Sequence, residues 1–191
     1  MIRIMDIIIS GFAILVLLPF FLPVVIALRL TGEGEVFFVQ TRIGQGGRPF
    51  GLIKFVTMLK DSPNQGTGEV TVKNDPRVLP LGRILRKAKI NELPQLLNIL
   101  KGDMSVIGPR PQTQRCFDAF SVKAQEAIIR VRPGLSGIGS IVFRDEEKMM
   151  HAHQDHDRFY DQVIMPYKGE LEEWYMANQN LWTYIMLIIL T

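Results

Sequence analysis

The chain has 191 residues, enough for one well-cored domain and too few for two ordinary ones. Its formal charge of +3 hides an asymmetry: residues 1–115 carry 15 Lys/Arg against 8 Asp/Glu, and residues 116–191 carry 7 against 11. The basic part suits anionic head groups or phosphates, and no zinc finger, basic zipper or aromatic RNA-binding signature points to nucleic acid.

Ile7 to Leu28 is uncharged and almost wholly apolar, long enough to enter or cross a bilayer. A cleaved signal peptide fits poorly, because no small-x-small site follows the run. Pro19 and Pro23 lie inside it, where proline kinks or breaks a helix. The residues leave two arrangements open: a kinked spanning helix, or a broken helix that enters and leaves by one leaflet. Arg3 and Arg29 flank the run and can reach phosphate head groups by snorkelling.

Next, Val36-Phe37-Phe38-Val39 is strand-like, Gly44-Gln45-Gly46-Gly47 is turn-like, and Pro49 to Phe55 is a second extended run. A hairpin is predicted. Asp61 to Val72 is polar with Pro63, Gly66 and Gly68, and reads as a loop. In Asn74-Asp75-Pro76-Arg77-Val78, Asp75 is suited to cap a turn and Arg77 is a phosphate candidate.

Lys87 to Pro111 reads KAKINELPQLLNILKGDMSVIGPRP. Asn91 is a good helix N-cap and Pro94 is tolerated in a first turn. Leu93, Leu96, Leu97 and Leu100 recur at helical spacing and predict one buried face. Arg83, Arg86, Lys87 and Lys89 lie just upstream. Lys101-Gly102-Asp103 then forces a turn, and Gly108-Pro109-Arg110-Pro111 holds an arginine in a loop stiffened by two prolines. A carboxylate at Glu92 and a fixed guanidinium at Arg110 are parts that hold a metal-bound phosphate; the same spacing equally describes a capped amphipathic helix with a solvated basic approach.

Phe117 to Arg130 predicts a helix, and the single Cys116 reads as a small apolar core residue with no internal disulfide partner. His151, His153, Asp155, His156 and Asp157 lack any zinc-finger or HExxH spacing and read as a solvated helical segment. Tyr167 to Thr191 mixes apolar and aromatic residues, with Trp174 and Trp182 suited to a membrane interface.

Several of these stretches resemble the bacterial sugar transferases that are monotopic phosphoglycosyl transferases. The resemblance rests on Glu92-Leu93-Pro94-Gln95, Lys101-Gly102-Asp103-Met104-Ser105 and Gly108-Pro109-Arg110-Pro111. Phe38, Gln40, Arg42 and Gly44 match a further pattern, as do Lys54, Phe55, Thr57 and Met58, with Val56 where that family usually has a basic residue. Val131-Arg132-Pro133-Gly134-Leu135-Ser136-Gly137 resembles its Arg-Pro-Gly-x-x-Gly turn. Arg144 falls near its Gly-Arg-Asn, although Asp145-Glu146-Glu147 follows here.

The resemblance implies a mixed α/β, mainly helical fold: a re-entrant membrane helix over residues 1–30, broken near Leu18-Pro19, and a sugar transferase domain over 31–191 with a small hairpin and interfacial helices. It implies transfer of a phosphosugar from a UDP-sugar to polyprenyl phosphate, with membrane lipid as a partner and the domain on the cytoplasmic face of the bacterial inner membrane. A homo- or heterodimer is a further open expectation. Glu92 would bind Mg2+, and Arg77, Arg86, Arg110, Arg132 and Arg144 would contact phosphate. The family's nucleophilic aspartate falls on Asn91. A neutral carboxamide is a very poor nucleophile. Three readings stand: a substitution that traps a substrate complex, a branch using direct transfer, or a non-catalytic membrane-bound partner.

Overall fold

The computed structural model of the protein describes residues 1–62, 75–144, 149 and 156–191. The expected loop at Asp61–Val72 and the segment His151–Asp157 lie largely outside these residues. The described part is mainly helical, with one antiparallel and one parallel sheet of two strands each.

The apolar run forms helix α1, Ile2–Leu30. It continues through Pro19 and Pro23, which corrects the expected break at Leu18-Pro19. Both prolines are exposed, so the carbonyls they leave unpaired do not lie in a packed interior. At 1.5 Å per residue α1 is about 43 Å long, and the domain packs along all of it. Ile2 and Met5 join a core cluster around Tyr175 and Tyr184. Ala13, Ile14 and Leu17 pack on Leu96 and Ile99, while Phe21, Val24 and Leu28 pack with Phe55 and Leu85. The opposite face, including Ile8, Phe12, Leu15 and Phe20, stays exposed. Arg3 donates to the Ile99 and Leu100 carbonyls, and Arg29 to the Gly34 carbonyl. Asp6 is buried; its carboxylate accepts from Ser105 Oγ, Val106 N–H and Tyr184 OH at 2.6–3.0 Å.

Strands β1 (Phe37–Ile43) and β2 (Pro49–Phe55) form the predicted hairpin, paired from Phe37↔Phe55 to Ile43↔Pro49. Gly46 and Gly47 close the turn at φ of 71° and 72°, a region that favours glycine. Helix α2 (Pro80–Lys87) follows. Helix α3 (Gln95–Lys101) buries Gln95, Leu96, Asn98 and Ile99, while Leu97 and Leu100 are exposed, so the predicted leucine face is not the core face. The reason is Asn98, which is fully buried: its Oδ1 accepts from Ile53 N–H at 3.0 Å and its Nδ2 donates to the Gly51 carbonyl at 2.8 Å. These bonds turn a polar residue inward onto β2.

Strand β3 (Ser105–Ile107) pairs in parallel with β4 (Gly134–Ser136). Between them the predicted single helix divides into α4 (Gln114–Asp118) and α5 (Val122–Ile128), each capped by a hydroxyl, Thr113 and Ser121. Helix α6 is Ile138–Val142. Helix α7 (His156–Phe159) leads through a π-helical turn at Tyr160–Ile164 into α8 (Met165–Ala177), and α9 (Leu181–Leu190) follows. Tyr175 and Tyr184 are buried, whereas Trp174 and Trp182 are 51% and 70% exposed, the amphipathic split that interfacial helices need.

Candidate active site

Asn91 is not a helix N-cap. Lys89 takes a left-handed conformation at φ 59°, Ile90–Glu92 forms a 3-10 turn, and Pro94 precedes α3. A non-glycine residue in that region is held at a cost of order 1 kcal/mol. The consequence is that the Asn91 side chain is turned inward and is 9% exposed, with its Oδ1 buried and without a hydrogen-bond partner.

The Gly108-Pro109-Arg110-Pro111 loop is fixed from below by the turn that contains β4. Gly108 N–H donates to the Ser136 carbonyl at 2.9 Å, and Gly134 N–H to the Pro109 carbonyl at 2.8 Å. A Cβ on Gly134 would lie 2.1 Å from Gly108 N, and one on Gly137 2.1 Å from Gly108 O. The glycines of the two motifs thus let two backbones touch, and that contact aims Arg110. Its guanidinium donates to Glu92 Oε1 at 3.0 Å.

Asn91, Glu92, Arg110 and Arg86 line one cleft together with Arg42, Lys54, Lys87 and Lys89. Its volume is about 1700 Å³, above the ~300–1,000 Å³ of ordinary small-molecule sites. Burial raises the Glu92 carboxyl, but Arg110, Lys54 and Lys89 outweigh it and hold the group below the usual carboxylate range. Burial pushes the Lys54 ammonium down to about 8; Glu92 opposes this, and Arg42, Arg110 and Arg86 add to it. Such a crowd of cations around one acid is poised for a ligand with several negative charges. Lys54 was legible only as part of a motif, since a lysine between apolar residues of a strand carries no local mark of a site.

The other predicted arginines are engaged elsewhere. Arg77 is buried and makes paired bonds to Asp75 Oδ1 and Oδ2 at 2.9 and 2.6 Å, with a further bond to the Ser62 carbonyl at 2.7 Å. It is a structural pair, and Asp75 also caps the turn as expected by accepting from Arg77 N–H. Arg132 Nε donates to the Gly102 carbonyl at 2.7 Å and does not line the cleft. Arg144 lines the cleft but donates to the Leu190 and Thr191 carbonyls at 3.3 and 3.1 Å. A guanidinium carries no sequence signal for which acceptor the tertiary fold supplies.

For a cation, the described residues hold no group of three or more His, Cys, Asp or Glu side chains. Glu92 and Asn91 are neighbours in the chain, both line the cleft, and each carries a hard oxygen donor, the Asn91 Oδ1 without a hydrogen-bond partner. That small donor set fits Mg2+, which keeps waters and takes one or two protein oxygens plus substrate phosphates.

A 39% identity over 73% of this chain links it to the UDP-glucose:undecaprenyl-phosphate glucose-1-phosphate transferase of Caulobacter vibrioides, of which the match covers 52%. The UDP-N-acetylgalactosamine-undecaprenyl-phosphate N-acetylgalactosaminephosphotransferase of Aeromonas hydrophila is 34% identical over 98% of this chain and 41% of its own length. The exopolysaccharide production protein ExoY of Rhizobium meliloti is 34% identical over 75% of this chain and 70% of its own. The chain thus spans about half or less of the first two relatives. The sequence profile described as bacterial sugar transferase matches residues 1–191. With the carboxylate-and-arginine cleft in place, these matches say that the chain belongs to the bacterial sugar transferase family.

Proposed function

We propose that the chain transfers a phosphosugar from a UDP-sugar to polyprenyl phosphate at a membrane, beginning synthesis of a cell-surface glycan. The observation that carries this reading is the cleft in which Arg110, Lys54 and Lys89 act on the Glu92 carboxylate, with Asn91 and Arg86 in the same lining. Two anionic substrates repel each other, and fixed cations at the point where they meet offset that repulsion. Arg110 and Lys54 would hold the phosphate oxygens. Glu92 and Asn91 Oδ1 would hold Mg2+, which when bound neutralises charge on the phosphoryl group.

The Asn91 carboxamide cannot supply the attacking carboxylate. In the direct route, an oxygen of the lipid phosphate forms the new bond to the sugar-linked phosphorus, and the bond to the departing UMP breaks. Both substrates must then be bound together, and the size of the cleft supports that requirement.

Helix α1 supports the membrane arrangement. One end of the helix is tied to the end of α3 through Arg3 and the other to Phe55 and Leu85 through Leu28. Attachment of both ends of an unbroken helix to one body supports a monotopic arrangement, with the apolar face of α1 toward the bilayer and the domain on the cytoplasmic face of the inner membrane. Exposed Trp174 and Trp182 would sit at the same interface. Cysteine labelling at positions 3 and 32 in cells checks this; labelling of position 3 only from the periplasm would overturn it.

The enzymatic test uses purified protein, Mg2+, polyprenyl phosphate and a panel of UDP-sugars, with UMP release as readout. The expected result is release only when both substrates are present, abolished by Glu92→Ala, and release without lipid once Asn91→Asp restores a carboxylate. A phosphosugar adduct on the unaltered chain, seen by intact mass, overturns direct transfer. The neutral residue at position 91 favours a second reading, a non-catalytic membrane-bound partner of an active relative. A well-folded Asn91→Asp protein with no turnover on any UDP-sugar selects it.

A further inference from the structure

Away from Glu92, the same cleft is lined by a different set of groups. Glu172 on α8 is 4% exposed, and its Oε2 is buried with no hydrogen-bond partner. Its Oε1 lies against Gly139, where an added Cβ would be 2.8 Å away. The Ser140 hydroxyl on α6 is also buried without a partner. Lys168, one turn before Glu172, is buried with its ammonium 5.2 Å from the ring centre of Phe143 and 5.5 Å from that of Tyr160. Ser140, Phe143, Lys168 and Glu172 all line the cleft.

Buried polar atoms are nearly always satisfied, so two unmet oxygens on facing helices need an explanation. The chemistry of the patch selects among ligands. A phosphate would meet the Glu172 carboxylate, while the surplus cations are grouped around Glu92. A planar base would need an open ring face, and the Lys168 ammonium already lies over both Phe143 and Tyr160. A lipid chain would leave the oxygens unmet. A sugar hydroxyl both donates and accepts, and so matches an unmet carboxylate oxygen and an unmet hydroxyl in one lining.

We propose that Ser140 and Glu172, with Lys168 beside them, form the patch that recognises the hydroxyl groups of the sugar carried on the nucleotide. This rests on the UDP-sugar reading and assigns it specificity-determining residues. Burial raises the Glu172 carboxyl to about 7, so near neutrality it serves as donor as well as acceptor.

The test is calorimetric titration of the full chain, Glu172→Gln and Ser140→Ala with UMP and with a panel of UDP-sugars. The expected result is UMP affinity unchanged within about twofold, and affinity for the preferred UDP-sugar reduced roughly tenfold or more by Glu172→Gln, as for loss of one charge-assisted hydrogen bond. Ser140→Ala, which removes one oxygen and is safe for the fold, should lower it about fivefold and change the ranking among sugars. Equal weakening of UMP would assign the patch to the nucleoside and overturn the proposal. Unchanged sugar affinity in both variants would also overturn it, leaving the oxygens to internal water. An unaltered chain that binds neither UMP nor any UDP-sugar overturns the substrate reading itself, a result distinct from either selective outcome.

Discussion

Two carboxylates, Asp6 and Glu92, show how the molecule divides its charges. Among the described residues no ion pair is made to Asp6, yet three donors from β3 and α9 saturate it in the interior. Glu92 has one guanidinium bonded at 3.0 Å and further cations around it in an open cleft. The first arrangement leaves nothing for a ligand, and its whole value goes to the joint between α1 and the domain. The second leaves positive charge uncompensated, which is unfavourable until an anion arrives. Arg77 and Arg110 divide in the same way. Both follow a proline, but Arg77 is closed by Asp75 and Ser62, whereas Arg110 is exposed toward the cleft.

The contrast is broken most severely at Asp6. Asp6→Ala leaves Ser105 Oγ, Val106 N–H and Tyr184 OH without their acceptor, and should cost at least about 3 kcal/mol of stability, given ~1–3 for each orphaned buried donor. Thermal melting in detergent measures it; an unchanged melting point would mean that the joint is not maintained by this carboxylate. Arg110→Ala should do the reverse. Binding of a UDP-sugar should weaken by about 2–5 kcal/mol, as for a lost charged contact, while the melting point stays put. Calorimetry and melting on one sample decide between the two outcomes.

A pH titration of stability sharpens the comparison. The Glu172 carboxyl stands at about 7 in the folded chain against 4.5 ordinarily, so between those values the folded state binds the extra proton. Stability should therefore fall as pH rises through that window, by about 3 kcal/mol. Glu92 acts in the opposite sense: its depressed carboxyl contributes stability above the ordinary carboxylate range that is lost as pH falls through its folded value. Glu172→Gln should remove the first slope and leave the second, and melting curves carried from pH 8 down to about 3 report the difference. The smallest effect is Tyr184→Phe. It removes one bond to Asp6, leaves the other two donors in place, and should cost about 1.5–3 kcal/mol by urea unfolding.

Local pattern was enough for several elements. The apolar length of Ile7–Leu28, the strand–glycine–strand order at Val36–Phe55 and the alternation of apolar and aromatic residues after Tyr167 each depend on neighbours within a few positions, and α1, the hairpin and α8–α9 follow them. Glu92 and Arg110 were legible as candidates from a carboxylate and a stiff proline loop, and the fold brings the two together in one cleft.

What the neighbours could not settle was which partner each polar group would meet. Leucine spacing predicted a core face of Leu93, Leu96, Leu97 and Leu100, and only the approach of β2 made Asn98 a buried residue of that helix. Asn91 looked like a cap until the left-handed Lys89 turned it inward. Arg77, Arg110 and Arg132 are alike in sequence, and their roles separate only where Asp75, Glu92 and the Gly102 carbonyl are brought up against them. Apolar periodicity is written along the chain because burial of a face depends on spacing alone. The use of a charge depends on groups tens of residues away, and that distance is closed only by the tertiary fold.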